Sequence, residues 1–241
     1  MWSPASDRMC CRLPLRTLLR GCLLALLTCV CGVQTMAQDF LGTREYKVKK
    51  AVGKVAFDAT VEFPVEGPRR VLEGVAAWLA QTLEVDGDFT GNGQRLLQCA
   101  CDSFMNSGQK WKRTVTVERT YEDQRVVTFQ SWIKDVDSET WRTADCASFS
   151  KKDGHRILLD EIFKCSEDEL KELMWEYRGD LKLDTDDPSG LYPLNAGFID
   201  GWVVVIAPAY HQMGAEFQLR YLEILPALYT TEEGYYIPLR M

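Results

Sequence analysis

The chain has 241 residues, 46% of them hydrophobic, with 28 basic against 35 acidic side chains and a formal net charge of −7. No basic stripe is present, which argues against a nucleic-acid partner, because phosphate binding depends on clustered Lys and Arg. The apolar content suffices to bury a core, and the length fits one domain or two small, closely joined lobes.

Arg8, Arg12, Arg16 and Arg20 stand against a single acid, Asp7, and Gly21 to Val33 then carry no charge. This is the basic and apolar pattern of a secretory signal, and the run is too short for a membrane span, which needs about 20 residues. It ends in Gln34-Thr35-Met36-Ala37, whose small Thr35 and Ala37 suit a signal peptidase. We therefore expect residues 1–37 to be a signal peptide and the exported chain to begin at Gln38. A lipoprotein signal ending at Cys29 or Cys31 is the rival, disfavoured by Thr28 before Cys29; initiation at Met9 would leave the rest unchanged. The remaining chain has 24 basic and 34 acidic side chains. Its longest apolar run, Val203 to Ala209, cannot span a bilayer, so no transmembrane segment is expected after signal removal.

Lys54 to Phe63 alternates, with Val55, Phe57, Ala59, Val61 and Phe63 on one side, and predicts a half-buried strand. After Pro64, Gly67 and Pro68, the spacing of Val71, Leu72, Val75, Trp78, Leu79 and Leu83 predicts an amphipathic helix. A second helix is indicated by Leu96, Leu97, Ala100, Cys101 and Phe104, with Cys99 toward its polar flank. Thr114 to Tyr121, Arg125 to Ile133 and Trp141 to Phe149 read as three strands with short links, an antiparallel meander. Ser166-Glu167-Asp168-Glu169 carries a capping-box start, followed by Leu170, Leu173, Met174 and Tyr177 on a third helix. Gly197 to Ala207 is strand-like, punctuated by Asp200-Gly201, then Phe217, Leu219 and Tyr221 alternate, before an aromatic tail at Tyr235 and Tyr236. The expected fold class is α+β: a largely antiparallel sheet with helices packed on one side. The loop around Asn106 to Lys112 suggests a division into an N-terminal strand-and-two-helix module, 38–110, and a C-terminal meander with helix, 111–241.

Chemistry is sparse. Only His155 and His211 are available to a catalytic triad, and neither adjoins a nucleophile elbow, so no catalytic residue is assigned. His155 follows an Asp-Gly turn and reads as a solvated turn residue. Any two of the many carboxylates can be proposed as a glycosidase pair, and no spacing singles out an acid and a nucleophile. Asp184, Asp186 and Asp187 approach a calcium loop, but the register fails, since Gly190 falls one place late and Asn195 stands where a bidentate acid belongs. Cys99, Cys101, Cys146 and Cys165 remain after signal removal. In an oxidising compartment they are disulfide candidates, with Cys99 or Cys101 expected to pair with Cys146 or Cys165. Cys99 and Cys101 have the wrong separation for zinc, so no metal and no cofactor are expected. Trp132, Trp141, Trp202 and Tyr210 are compatible with a glycan or peptide groove and equally with core packing.

Phe149-Ser-Lys-Lys-Asp-Gly-His-Arg-Ile-Leu-Leu-Asp-Glu-Ile-Phe163, Gly197-Phe-Ile-Asp-Gly-Trp-Val-Val-Val-Ile206 and Tyr221-Leu-Glu-Ile-Leu-Pro-Ala-Leu228 carry a resemblance. The chain resembles the domain of unknown function 3298 family, the C-terminal domain of RsiV-type anti-sigma proteins, as found in short exported proteins of the Bacteroidetes. Upstream, about 43–110 resembles the module that accompanies this domain in the cell-wall deacetylase PdaC. Many relatives carry Gly-Gly-Ala-His on the meander, whereas Asp137 to Asp145 here has neither the glycines nor the histidine, and the segment Pro208 to Gly214 looks shortened.

In RsiV-type relatives the domain is an extracellular receptor for lysozyme. The resemblance thus implies an exported, non-catalytic binding or sensing module of the cell envelope, its partner an envelope or host protein or a cell-wall glycan. The alternatives are an enzyme or accessory acting on cell-wall sugar, as the deacetylase association implies, or a structural envelope component. Trp141, Tyr210 and His211 are the candidate ligand-binding residues, because aromatics give large contact area at low entropic cost.

Overall fold

Alternation along Val55–Glu66 buries Phe57, Ala59, Val61 and Phe63 while Asp58, Thr60 and Glu62 stay half-buried, and the rest of the fold is built on that strand. The computed structural model describes residues 40–137, 139–210 and 212–229. Residues 1–37, expected to be a signal, His211 and the Tyr235-Tyr236 tail lie outside the described residues.

The strands are β1 (Gly42–Val52), β2 (Val55–Glu66), β3 (Lys112–Glu122), β4 (Val126–Val136), β5 (Thr140–Ser150), β6 (Arg156–Ile157), β7 (Asn195–Ile199), β8 (Trp202–Ala209) and β9 (Gln212–Arg220). Helices α1 (Arg69–Thr82) and α2 (Gly93–Asn106) form the crossover between β2 and β3, which accordingly pair in parallel. A single turn, α3 (Leu159–Ile162), precedes α4 (Glu167–Glu176). At the start of α4, Ser166 Oγ accepts from the Glu169 amide and the Glu169 carboxylate accepts from the Ser166 amide, the reciprocal cap anticipated in the sequence. The predicted strand from Gly197 is a hairpin, β7 and β8, turning at Asp200-Gly201.

Strand order is β1-β2-β3-β4-β5-β9-β8-β7, antiparallel except at β2–β3 and β5–β9, which makes the class α+β. Alternate residues of β4 and β5 face two environments. Val127, Phe129, Ala147 and Phe149 join β2, β3, α1 and α2 in one core. Ala144 and Cys146 face Val204 and Ile206 of β8, with Trp132 alongside. β7 is three places from β5 in strand order, yet a Cβ on its Gly197 would lie 2.8 Å from Thr128 and 3.2 Å from Cys146. The sheet therefore curls until β7–β9 cover the face of β4 and β5 opposite α1 and α2. On their own outer side Phe198, Val203, Val205, Phe217 and Leu219 form a second core with Leu170 and Met174 of α4.

Among the described residues no disulfide forms, and Cys99, Cys101, Cys146 and Cys165 are free thiols. The expected cross-pairs fail because the fold puts these side chains in separate compartments: Cys101 in the first core, Cys146 on the opposite face of the sheet, and Cys165 against the second core.

Candidate functional site

β5 has β4 along one side, but on the other it meets β6 only at Ser148 and Phe149 and β9 only at Arg142, opposite Gln212. Between those points the seam is closed by side chains. Asp145 accepts from Trp78 Nε1 of α1 at 2.8 Å, from Asn195 Nδ2 of β7 at 2.7 Å and from the Cys146 amide at 2.8 Å. Arg156 donates to the Cys146 carbonyl at 3.1 Å. Further along, a Cβ on Gly214 would come within 2.2 Å of the Ala144 carbonyl, so β9 crosses close to β5 there.

Where β9 leaves β5, a cleft of about 390 Å³ opens, with Leu181, Ala144 and Gly214 as its apolar wall. Its polar lining comes from three strands: Trp132 and Lys134 of β4, Arg142 of β5, Gln212 and Glu216 of β9. The period of two in a strand brings Gln130, Trp132 and Lys134 to one face, and antiparallel register sets Arg142 directly opposite Lys134. Glu216 is fixed from across the gap, its Oε1 accepting from Trp132 Nε1 at 2.7 Å and from Gln130 Nε2. Gln130 is only 3% exposed, so this contact meets the need of a buried amide as well as orienting the carboxylate. The Thr128 and Ser148 hydroxyls, 2.8 Å apart, continue the polar seam inward. The result is a concave site offering an indole face, one positioned carboxylate acceptor and two cationic groups.

Of the residues singled out in the sequence, Trp141 and Tyr210 both come to this end of the sheet. Trp141 precedes Arg142 and Tyr210 lies two residues before Gln212, and they are 46% and 50% exposed. Neither lines the cleft. Trp141 shares its face with Asp135, its cross-strand partner, on the side away from Lys134 and Arg142. The Tyr210 amide donates to the Lys182 carbonyl at 3.0 Å, tying the β8–β9 turn to the loop that supplies Leu181. Gln130, Lys134, Arg142 and Glu216 were not foreseen, although polar residues two apart on a strand otherwise buried are the signal of a second packed face.

His155 is more than a solvated turn residue: its Nδ1 lies 3.0 Å from Asp153 Oδ1 and its Nε2 2.9 Å from Glu161 Oε1. The acidic loop at Asp184 to Asp187 is structural at its end, where Asp187 Oδ1 caps the turn Pro188–Gly190 by accepting from the Ser189 amide at 2.8 Å. Among the described residues no three His, Cys, Asp or Glu side chains converge as metal ligands, and no helix is long and apolar enough to cross a membrane.

No family model matches the sequence, and no curated protein does. Solved structures do. A member of the domain of unknown function 3298 family from Bacteroides fragilis NCTC 9343 superposes with a TM-score of 0.60 at 10% identity, over 82% of this chain and 98% of that one. A domain of unknown function 3298 family protein from Pseudomonas aeruginosa PAO1 gives 0.53 at 10% identity, over 80% and 96%.

Proposed function

Proceeding from a chain with the fold of domain of unknown function 3298 proteins, we propose that it is an exported, non-catalytic binding module of the bacterial cell envelope. Its cleft between β5 and β9 takes a cell-wall glycan bearing carboxylate groups. The observation that carries this reading is the convergence of Trp132, Glu216, Lys134 and Arg142 on one cleft. A saccharide ring presents an apolar face to an indole and hydroxyl donors to a fixed carboxylate, while guanidinium and ammonium groups recognise anionic substituents. A binding role is favoured over hydrolysis because Glu216 is the one carboxylate among the described lining residues, whereas glycoside cleavage ordinarily employs a pair. Export is supported by the Arg-flanked apolar segment at the N-terminus.

Soluble fragments of digested peptidoglycan, titrated into the protein and followed by NMR, test this. Shifts should cluster at the Trp132 indole and at residues 212–216. Arg142→Ala with Lys134→Ala should weaken binding at least about tenfold, a loss of roughly 1.4 kcal/mol. Fragments released by the protein, and lost in Glu216→Gln, would make it an enzyme instead. A protein ligand is the second reading, favoured by Tyr210 and Met213, 50% and 66% exposed beside the cleft. Binding abolished by Tyr210→Ala and untouched at Arg142 would establish it.

A further inference from the structure

The other face of the same hairpin end carries a second recess, of about 310 Å³, lined among the described residues by Trp111, Asp135, Asp137, Glu139 and Trp141. Trp111 stands just before β3 and Trp141 near the start of β5, and Asp135 at the end of β4 lies between these two strands. In register, Arg113, Asp135 and Trp141 run across the sheet side by side. The two indoles are held differently. Trp111 packs edge-on against Phe104 at 6.4 Å and is anchored in the first core, whereas Trp141 is 46% exposed. Asp135 is committed to Arg113 by two bonds of 2.8 and 2.7 Å. Asp137 and Glu139, at the hairpin tip, add two further carboxylates to the rim. Among the described residues the buried Trp111 indole N–H has no hydrogen-bond partner, which is unusual for a donor that normally finds one.

We propose that this recess binds the side chain of a Lys or Arg residue presented by a peptide. Two indole faces and surrounding carboxylates attract a cation through ring quadrupole and charge together. At about 310 Å³ the recess is large enough to hold one long cationic side chain. The proposal is independent of the ligand assigned to the cleft, since Lys134 and Arg142 face the other way.

The test is a titration of N-acetyl-arginine amide, with N-acetyl-citrulline amide as the uncharged isostere, followed at the Trp111 and Trp141 indole N–H resonances. The arginine probe should shift both signals saturably, with a Kd near or below about 10 mM, and bind at least tenfold more tightly than citrulline. Trp141→Ala, and separately Asp137→Asn with Glu139→Gln, should abolish the shift while the melting temperature holds. Both variants act at the rim, so neither compromises folding as loss of Trp111 would. Equal binding of the two probes, no saturable shift, or preferential occupation by N-acetylglucosamine would overturn the proposal.

Discussion

Glu122 and Lys151 form an ion pair at 2.7 Å whose two side chains are 5% and 6% exposed, a depth at which charges are stable only with full partners. The same carboxylate accepts from the Leu41 amide at 2.6 Å and from Arg119, so it joins the ends of β3 and β5 to the entry of β1. Glu122→Leu should therefore destabilise the protein by about 3–5 kcal/mol, because it removes the buried carboxylate paired with the Lys151 ammonium. Adding Lys151→Met should recover much of the loss. Urea denaturation of the two single variants and the double variant reads this directly; a double-variant loss equal to the sum of the two single losses would show the pair to be energetically idle.

The His155 contacts set a pH window. Burial lowers the His155 pKa, but the bonds to Asp153 and Glu161 outweigh it and leave it raised. A raised folded value gives stability that is present in full below the ordinary pH of about 6.5 and fades as pH climbs through the folded value. Asp153 works in the other direction. The neighbouring Ser150 hydroxyl and then the His155 ring hold it at about 2. Its contribution is present above its ordinary value of about 4 and is lost as pH falls toward 2. The melting temperature should be highest between about pH 4 and 6.5 from these two groups, and His155→Asn should flatten the alkaline side of the profile. An unchanged slope above pH 7 in that variant would rule the latch out.

Thiol labelling should divide the cysteines by depth. Burial pushes the Cys146 thiol far up and the Cys101 and Cys165 thiols up by less, and only a thiolate reacts readily. In the folded protein the half-buried Cys99 and Cys165 should be alkylated first, with Cys101 and Cys146 modified only on unfolding. Mass spectrometry of pulse-labelled protein prepared without residues 1–37 should find four labels after denaturation without reductant; two labels would restore the disulfide that the fold keeps apart.

Asp145 holds a helix and two strands at once, which makes its replacement informative. Asp145→Ala removes the acceptor for both Trp78 and Asn195 and should cost about 2–4 kcal/mol, since part-buried donors left unmade are expensive. Asn195→Ala should cost about 1 kcal/mol and lose its effect once Asp145 is gone. Additive losses would mean that the two contacts do not act together.

The amphipathic helices, the meander and the Ser166 cap were legible because each follows from spacing within one short segment. β1 was not: Thr43, Glu45, Lys47, Lys49 and Lys50 give it no clear apolar face, since it is an exposed edge where Lys residues discourage pairing with other chains. Glu216 was hidden for a different reason. Its importance comes from meeting Gln130 and Trp132 more than 80 residues earlier, a contact created by the curl of the sheet and invisible to local pattern. The same holds for Glu161, which converts an Asp-Gly-His turn into a bridged one only once α3 is folded beside it.

Because the first core draws only on residues 41–149, synthesis from the N-terminus can complete that half of the molecule while the rest is still being made. Its helix-covered face would then be dry, while the opposite face waits for residues 195–219. That waiting face carries Thr128, Gln130, Ser148 and Ser150, all buried in the finished protein. These hydroxyls and amides, interspersed among Ala144, Cys146 and Trp132, make the face less prone to recruit neighbouring chains than a bare aliphatic sheet would be. The polar seam that orients Glu216 thus also breaks up the apolar surface of a face that is covered last.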